Sequence, residues 1–196
     1  MRPDEKDGIS HCGAVRIETE RLILRTFRHS DGEAMFRNWA SDPEVVHFLT
    51  WPVHESVAVS NTLAALWEQE AAMPDHYQWA IELKAIGEPI GSISVVDYNE
   101  STRSVEIGYC IGRAWWGHGI VPEALTAVCS YLFKEAGVHR ICAKHDVNNP
   151  NSGRVMIKSG MRFEGVQRAA ARNNQGIVDV ACYAVLEDEW AQKLSN

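Results

Sequence analysis

The chain has 196 residues, of which 45% are hydrophobic and 23% charged. This composition is typical of a globular protein of one domain and excludes a disordered chain, a collagen-like fibre and a coiled coil. A net charge of −7 and a pI near 5.6 argue against a general nucleic-acid binder and slightly favour a cationic substrate.

Apolar runs, the N-terminal residues and the cysteine spacing indicate the cellular compartment. No stretch approaches the ~20 apolar residues of a membrane-spanning helix, and the charged residues 1–7 do not resemble a secretory signal. The five cysteines are widely spaced and form no C-x-x-C pair, so we predict buried free thiols and no metal site. Free thiols are typical of a reducing compartment, which predicts a cytoplasmic protein without a membrane partner.

Hydrophobic periodicity predicts the order of the elements. Residues 1–14 are polar and aperiodic, so we expect a flexible segment there, followed by one domain over residues 15–196. The predicted elements are, in chain order, a strand at 21–25, helices at 31–40 and 55–72, strands at 79–83, 90–96 and 104–111, a helix at 121–136, a strand at 139–145, a helix at 150–160, and strands at 161–166 and 178–186. This βααβββαβαββ order indicates an α/β fold, in which a mixed sheet carries helices on both faces.

Residues 116–124, W-G-H-G-I-V-P-E-A, form the most informative segment, because a strand precedes them and a helix follows. The N-terminus of a helix attracts anions through its free N–H groups and its dipole. Gly117 and Gly119 allow a ligand to approach the backbone closely, and Pro122 suits the first helical turn. The segment therefore predicts a phosphate or pyrophosphate site, although two glycines alone also occur in ordinary turns.

Several motifs in a fixed order resemble one family. The segments that carry the resemblance are E-R-L-I-L-R at 20–25, V-E-I-G-Y at 105–109, W-G-H-G-I at 116–120, N-P-N-S-G-R-V-M-I-K-S-G-M at 149–161 and D-V-A-C-Y-A-V-L at 179–186, with Trp190 behind them. Together they resemble the GNAT superfamily of acetyl-CoA-dependent N-acetyltransferases. Within it they are most similar to the RimJ/RimL-like branch, which acetylates the N-termini of ribosomal proteins. The resemblance covers about residues 18–190.

The resemblance implies a GNAT-type fold with acetyl-CoA as cosubstrate. Two splayed central strands would hold the pantetheine arm, and the loop 114–121 would hold the pyrophosphate. The cosubstrate-binding residues implied around this loop are Cys110, Ile111, Arg113, Trp116, Gly117, His118, Gly119, Ile120 and Val121. The family signature Q/R-x-x-G-x-G/A requires Gln or Arg at position 114, where this chain has Ala114. Arg113 and His118 are the candidates to replace that side chain.

Acetyl transfer to an amine requires a neutral amine, a stabilised oxyanion and a proton for the departing thiolate. Glu106, in the strand before the loop, is our candidate base, with Asp97 and His145 as weaker candidates. The alternative for Glu106 is a charge on a solvated strand face or an ion pair with Arg103. A backbone N–H at the end of the same strand is the expected oxyanion donor.

Ser152 is the candidate acid, because the RimJ/RimL-like resemblance implies a serine facing the sulfur at this position. Asn149 is expected to bond the pantetheine amides. The alternative is that Ser152 or Asn149 caps the helix 150–160. Arg154 and Lys158, spaced i, i+4, are candidates to bind CoA phosphates and are otherwise ordinary surface charges.

We therefore predict an N-acetyltransferase that works by direct attack in a ternary complex. A covalent acyl-enzyme is not expected, since no cysteine lies in a nucleophile motif. The preferred acceptor is a protein or peptide N-terminal α-amine, because at pH 7 roughly a tenth of an α-amine of pKa ~8 is neutral, far more than of a lysine.

Two alternatives remain open. The first is an acetyltransferase for a small amine such as a polyamine or an antibiotic. The second is a CoA-binding module that has lost catalysis. No nucleic-acid partner is expected, and the resemblance makes a homodimer an expectation without support from the residues themselves.

Overall fold

A computed structural model describes residues 8–194 and contains one eight-stranded sheet. The strands are β1 (Ile17–Glu18), β2 (Leu22–Arg25), β3 (Gln78–Leu83), β4 (Glu88–Asn99), β5 (Ser104–Ile111), β6 (Arg140–Asp146), β7 (Arg162–Asn173) and β8 (Gly176–Leu186). The helices are α1 (Gly32–Met35), α2 (Pro43–Val46), α3 (Val57–Glu70), α4 (Ile120–Tyr131), α5 (Pro150–Lys158) and α6 (Glu187–Leu194). Over the described residues, no helix combines the length and the apolar character needed to cross a membrane.

The sheet has the spatial order β1-β2-β3-β4-β5-β6-β8-β7. Neighbouring strands are antiparallel except β5 and β6, which run parallel and are connected through α4. A parallel pair needs such a crossover connection, which explains why the meander ends at β5. The predicted mixed α/β sheet is therefore confirmed.

Helices cover both faces of the sheet because successive strand residues point to opposite sides. On one face Trp79 and Ile81 are fully buried in the main core together with Leu125 and Val128 of α4. On the other face Ala80 belongs to a smaller cluster with side chains from α1 and α3. This alternation also assigns a face to every residue of β5, which matters for the active site.

The predicted helices 31–40 and 121–136 are less regular than expected, whereas 55–72 contains the regular α3. A 3₁₀ turn (His29–Asp31) precedes α1, and a π turn (Phe36–Ala40) follows it. The predicted helix 121–136 likewise consists of α4 and a π turn, Leu132–Ala136, which ends where Gly137 adopts φ 64°. Strand β1 and helices α2 and α6 were not predicted from the sequence.

The hairpin of β7 and β8 extends further than the predicted strand 161–166. Strand β7 lies at the sheet edge and is interrupted by two register shifts, so its side chains do not alternate between core and solvent. The turn of this hairpin contacts the segment 46–51 between α2 and α3. Asn174 donates from its backbone N to Leu49 O and from its side chain to Val46 O and Trp51 O, at 2.8–3.1 Å.

Residues 1–7 of the expected flexible segment lie outside the described residues. The residues that follow pack against the rest of the protein. Ile9 is buried, Ser10 donates to the carbonyl of Ala136, and Gly13 donates to the carbonyl of Pro74. The expectation of flexibility therefore stays a prediction for residues 1–7 alone.

All five cysteines carry free thiols, as predicted. Burial is less uniform than expected, since Cys129 is buried but Cys12 is exposed. Burial raises the pKa of the Cys129 thiol to about 12, so this side chain behaves as a small apolar group.

Candidate active site

The two parallel strands separate in the middle of the sheet. Their pairing comprises three residue pairs and ends where Glu106 meets Cys142. Beyond this point β5 remains paired with β4, and β6 with β8, so an opening forms between the C-terminal halves of β5 and β6. Glu106 lies where the pairing ends, and the hydroxyl of Ser152 contacts Tyr109 further along β5.

Tyr109 and Ser152 meet on the α4 and α5 side of the opening. The phenol oxygen of Tyr109 lies 2.9 Å from Ser152 Oγ and 3.0 Å from the Ser152 carbonyl. Burial raises the pKa of Tyr109, and the hydrogen bond with Ser152 opposes this rise only in part. Tyr109 therefore stays a neutral phenol and donates its hydrogen to the Ser152 carbonyl, with the Ser152 hydroxyl beside the phenol oxygen.

The alternative role for Ser152 and Asn149 was to cap the N-terminus of α5. Asn149 occupies the N-cap position, yet its side chain accepts no hydrogen bond from the helix amides of the described chain. Ser152 lies three residues further on, and its hydroxyl faces Tyr109. The Ser152 hydroxyl is therefore held at the opening, and the side-chain cap that we offered for Asn149 is not observed.

Glu106 lies on the opposite face of the sheet from Tyr109, because the two residues are an odd number of positions apart in β5. Its carboxylate accepts a hydrogen bond of 2.9 Å from the Lys144 ammonium of β6. Its side chain is 21% exposed, so the carboxylate remains accessible to a ligand. The proposed pairing with Arg103 is wrong, because Arg103 donates to the carbonyl of Gly137 instead.

Lys144 contributes a further charge beside the opening. Burial alone would lower the pKa of Lys144, but the hydrogen bond and the charge of Glu106 outweigh burial and raise it. Lys144 is therefore protonated at neutral pH, and the ion pair fixes the direction of the Glu106 carboxylate.

The two weaker base candidates have different surroundings. Asp97 is directly opposite Glu106 in the β4–β5 register and is exposed. His145 Nδ1 donates to the carbonyl of Asp146 at 2.7 Å, because a carbonyl oxygen only accepts. Nε2 is buried and has no partner among the described residues. It lies close to α5, since a Cβ added to Gly153 would lie 2.6 Å away.

The predicted anion cradle is the loop between β5 and α4. A 3₁₀ turn (Arg113–Trp115) leads into Gly117 and Gly119, which have φ angles of 79° and 74°. These left-handed conformations favour glycine. No atom of the described chain accepts a hydrogen bond from the backbone N–H groups of the five residues 117–121. Five adjacent donors at a helix N-terminus fit a diphosphate.

The side chains around the cradle have varied partners. Trp116 donates from its indole to the Ile111 carbonyl, which fixes the start of the loop. Arg113 forms an ion pair of 2.9 Å with Asp42, so it does not point freely into the cradle. The exposed His118 contributes its carbonyl to a hydrogen bond with Arg21.

The remaining predicted binding residues divide into backbone and surface positions. The Cys110 thiol faces the α1 and α3 side and lies 3.3 Å from Ser92 Oγ, and the Cys110 backbone pairs with Ser92 of β4, so neither faces the opening. Ile111 is buried in the main core. Arg154 contacts Asn151 of its own helix, and Lys158 is exposed on the surface of α5.

Sequence reasoning missed three side chains of this site, Tyr109, Lys144 and Arg21. Each acts on a predicted residue that is 38 or more positions away in the chain. Strand alternation places Tyr109 on the other face of the sheet from Glu106, and this was the one sequence signal that could have indicated Tyr109. Nothing local in the sequence indicates the contacts of Lys144 or Arg21.

Comparison with known families decides the identity. A family model described as an acetyltransferase (GNAT) domain matches residues 21–162, well over half of the chain. The chain belongs to this GNAT family. It is accordingly an acetyl-CoA-dependent N-acetyltransferase, and the predicted family, fold and enzyme class are confirmed.

The relatives of this GNAT enzyme are moderately similar. It is 31% identical over 175 residues to an uncharacterized N-acetyltransferase, YoaA, of Bacillus subtilis, over 87% of this chain and 96% of the relative. It is 28% identical over 166 residues to the [ribosomal protein uS5]-alanine N-acetyltransferase of Escherichia coli, over 80% and 82% of the two chains. A crystal structure of a GNAT-family acetyltransferase from Bacillus anthracis superposes with a TM-score of 0.77 at 28% identity, over 89% and 99% of the chains.

Proposed function

We propose that this GNAT enzyme acetylates the N-terminal α-amine of a protein or peptide. One observation carries the proposal. The Glu106 carboxylate and the Ser152 hydroxyl lie on opposite faces of the sheet beside the same opening between β5 and β6. An amine arriving on one face and a thioester arriving on the other would meet between a proton acceptor and a proton donor.

The reaction proceeds by direct attack in a ternary complex. The neutral amine forms a bond to the thioester carbonyl carbon, and Glu106 takes the proton that the nitrogen loses, directly or through one water. The carbon–sulfur bond then breaks, and the thiolate takes the Ser152 hydroxyl proton, which solvent restores. The Tyr109 phenol donates to the Ser152 carbonyl and lies 2.9 Å from Ser152 Oγ, so it holds the hydroxyl beside the opening where the sulfur leaves.

The cradle supports the same orientation of the cosubstrate. The free N–H groups of residues 117–121 bind the diphosphate of acetyl-CoA. The backbone N–H groups of Tyr109 and Ile111, which alternate with the β4-paired Cys110 and Gly112, are the donors for the oxyanion. Asn149 at the start of α5 lies beside the opening and bonds the pantetheine arm. Arg154 and Lys158 on the same helix attract the outer phosphates.

Two considerations favour an α-amine as the acceptor. An α-amine is neutral about 10²-fold more often than a lysine at pH 7, so a partly exposed carboxylate such as Glu106 is a sufficient base. The similarity to a ribosomal-protein alanine acetyltransferase supports the same acceptor class.

An acceptor screen tests the proposal. Purified enzyme and acetyl-CoA are incubated with short peptides that have a free N-terminus, the same peptides with a blocked N-terminus, and small polyamines. We expect turnover only with free N-termini. Turnover of small amines alone would support the small-amine alternative, and CoA binding without any turnover would support the non-catalytic module.

Two variants test the assigned roles. Glu106→Gln should lower kcat by ~10²-fold or more, and Ser152→Ala by ~10-fold or more, because each removes a proton-transfer group. Ile157→Ala, on the exposed side of α5, is the matched control and should leave kcat unchanged. Unchanged turnover in both active-site variants would show that the roles are assigned wrongly.

A further inference from the structure

Arg21, between β1 and β2, connects the start of the chain to the cradle. Its guanidinium donates from Nε to Glu123 Oε2 at 2.7 Å and from Nη1 to the His118 carbonyl at 2.9 Å. Its backbone N–H donates to the other Glu123 oxygen at 3.0 Å, which also accepts from Thr19 at 2.6 Å. One side chain thus holds both the loop and the first turn of α4.

The negative charge of Glu123 lies beside the cradle and is paired with the Arg21 guanidinium. It is the acidic residue in the first turn of α4, where the cradle must accept an anion. Burial alone would raise the pKa of Glu123, but hydrogen bonds from Thr19 and Arg21 outweigh burial and lower it. The carboxylate is therefore ionised, and its repulsion of a diphosphate is cancelled by the guanidinium at 2.7 Å.

The contact with His118 also sets the direction of a cradle donor. The His118 carbonyl and the Gly119 N–H belong to one planar trans peptide unit, so they point in opposite directions. Arg21 attracts the carbonyl and thereby directs the Gly119 N–H away from itself, to the open side of the loop. Gly119 has the φ of 74° that this orientation requires.

We propose that Arg21 is a positioning residue for the cosubstrate diphosphate. It acts through the loop backbone at His118 and through Glu123. The inference rests on the proposed function, since it needs the cradle to bind the diphosphate. The segment between β1 and β2, 97 positions before His118 in the chain, thereby contributes to the affinity for the cosubstrate.

The test compares two acetyl donors in Arg21→Gln. Acetyl-CoA carries the diphosphate and S-acetylpantetheine lacks it. We expect Kd and KM for acetyl-CoA to rise about tenfold, which corresponds to about 1.4 kcal/mol. We expect kcat at saturating acetyl-CoA and kcat/KM for S-acetylpantetheine to remain within twofold. Arg21→Lys should recover part of the affinity, because an ammonium still attracts the His118 carbonyl and Glu123.

Two further variants separate the explanations. Arg16→Gln, at an exposed arginine paired with Glu18 on β1, is the matched control and should leave both donors unaffected. Glu123→Ala removes the anchor of the guanidinium and should also weaken acetyl-CoA binding. If Glu123→Ala instead tightened binding, Arg21 would act by direct phosphate contact, and the positioning role would be overturned.

The possible failures are distinguishable. If wild-type protein binds acetyl-CoA but Arg21→Gln binds it equally well, the inference is wrong and the proposed function stands. If Arg21→Gln loses both donors equally, the residue has a general structural role and the inference is wrong. If wild-type protein does not bind CoA in calorimetry, the proposed function and the inference both fail. Should Arg21→Gln not fold, Arg21→Lys and Glu123→Ala provide the same comparison.

Discussion

Gly153 in α5 allows the helix to lie close enough to β6 to place Ser152. A Cβ at this position would lie 2.6 Å from His145 Nε2 and 3.1 Å from the Tyr183 hydroxyl, whereas ordinary contact begins at 3.4 Å. His145 cannot easily retreat, since it is hydrogen-bonded to the Asp146 carbonyl and stacked on Tyr183. Gly153→Ala should therefore displace α5 by about 0.8 Å, the difference between these two contact distances.

The displacement predicts a loss of activity larger than the loss of stability. A shift of this size extends the Tyr109–Ser152 hydrogen bond from 2.9 Å towards about 3.7 Å, beyond hydrogen-bonding distance. Misplacement of a catalytic group by about 1 Å costs up to ~10²-fold in rate, so we expect kcat to fall by ~10- to 10²-fold. Stability should fall by no more than ~2 kcal/mol, because alanine gains about 1 kcal/mol of helix propensity against ~1–3 kcal/mol of overpacking.

Steady-state kinetics and urea denaturation of Gly153→Ala measure the two effects. Ile157→Ala, one turn along the exposed side of α5, is the control for changes in helix stability. A kcat for Gly153→Ala within twofold of wild type, in a protein that folds normally, would refute the claim that the close contact positions Ser152.

Three further predictions concern the cradle, its acidic neighbour and the hairpin turn. Gly117→Val and Gly119→Val should raise KM for acetyl-CoA at least ~10-fold, because a β-branched residue disfavours φ angles of 79° and 74°; unchanged KM values would argue against the cradle. The pKa of Glu123 is lowered on folding, so its stabilising contribution is complete above pH ~4.5 and disappears as the pH falls through the lower folded value. Glu123→Gln should thus be less stable than wild type at pH 7 and equally stable near pH 2, as measured by urea denaturation. Asn174→Ala should lose ~1–2 kcal/mol of unfolding free energy in the same assay, because two side-chain hydrogen bonds of 2.8 Å to backbone carbonyls disappear, whereas Gln175→Ala, with longer contacts, should lose less than half as much.

Much of the fold was predictable where the hydrophobic pattern is regular. Strand β5 occupies 104–111 as predicted, because its apolar and polar residues alternate between a buried and a half-buried face. Strand β7 was predicted too short, since an exposed edge strand with two register shifts imposes no such alternation. The short α2 was missed although Asp42 and Pro43 begin it, because those residues also end a preceding helix.

The candidate site divides in the same way. Glycine conformations and free amides are local properties, so the loop 114–121 could be proposed from the sequence as a candidate anion site. The contacts that orient its neighbours join residues far apart in the chain. Glu106 and Lys144 are 38 positions apart, Tyr109 and Ser152 are 43 apart, and Arg21 and Glu123 are 102 apart. Such contacts depend on the packing of the whole sheet and leave no local pattern.

The separation of β5 from β6 after three residue pairs creates two strand edges in the interior of the protein. The peptide groups along these edges need water or an extended guest molecule as a hydrogen-bonding partner. A guest that presents amides at strand spacing would complete the sheet across the gap and connect its two halves. Occupancy of the gap and resistance to unfolding are then thermodynamically linked, with about 2.7 kcal/mol gained at a guest concentration of 100 times Kd. The melting temperature of this enzyme should therefore report how full the gap is.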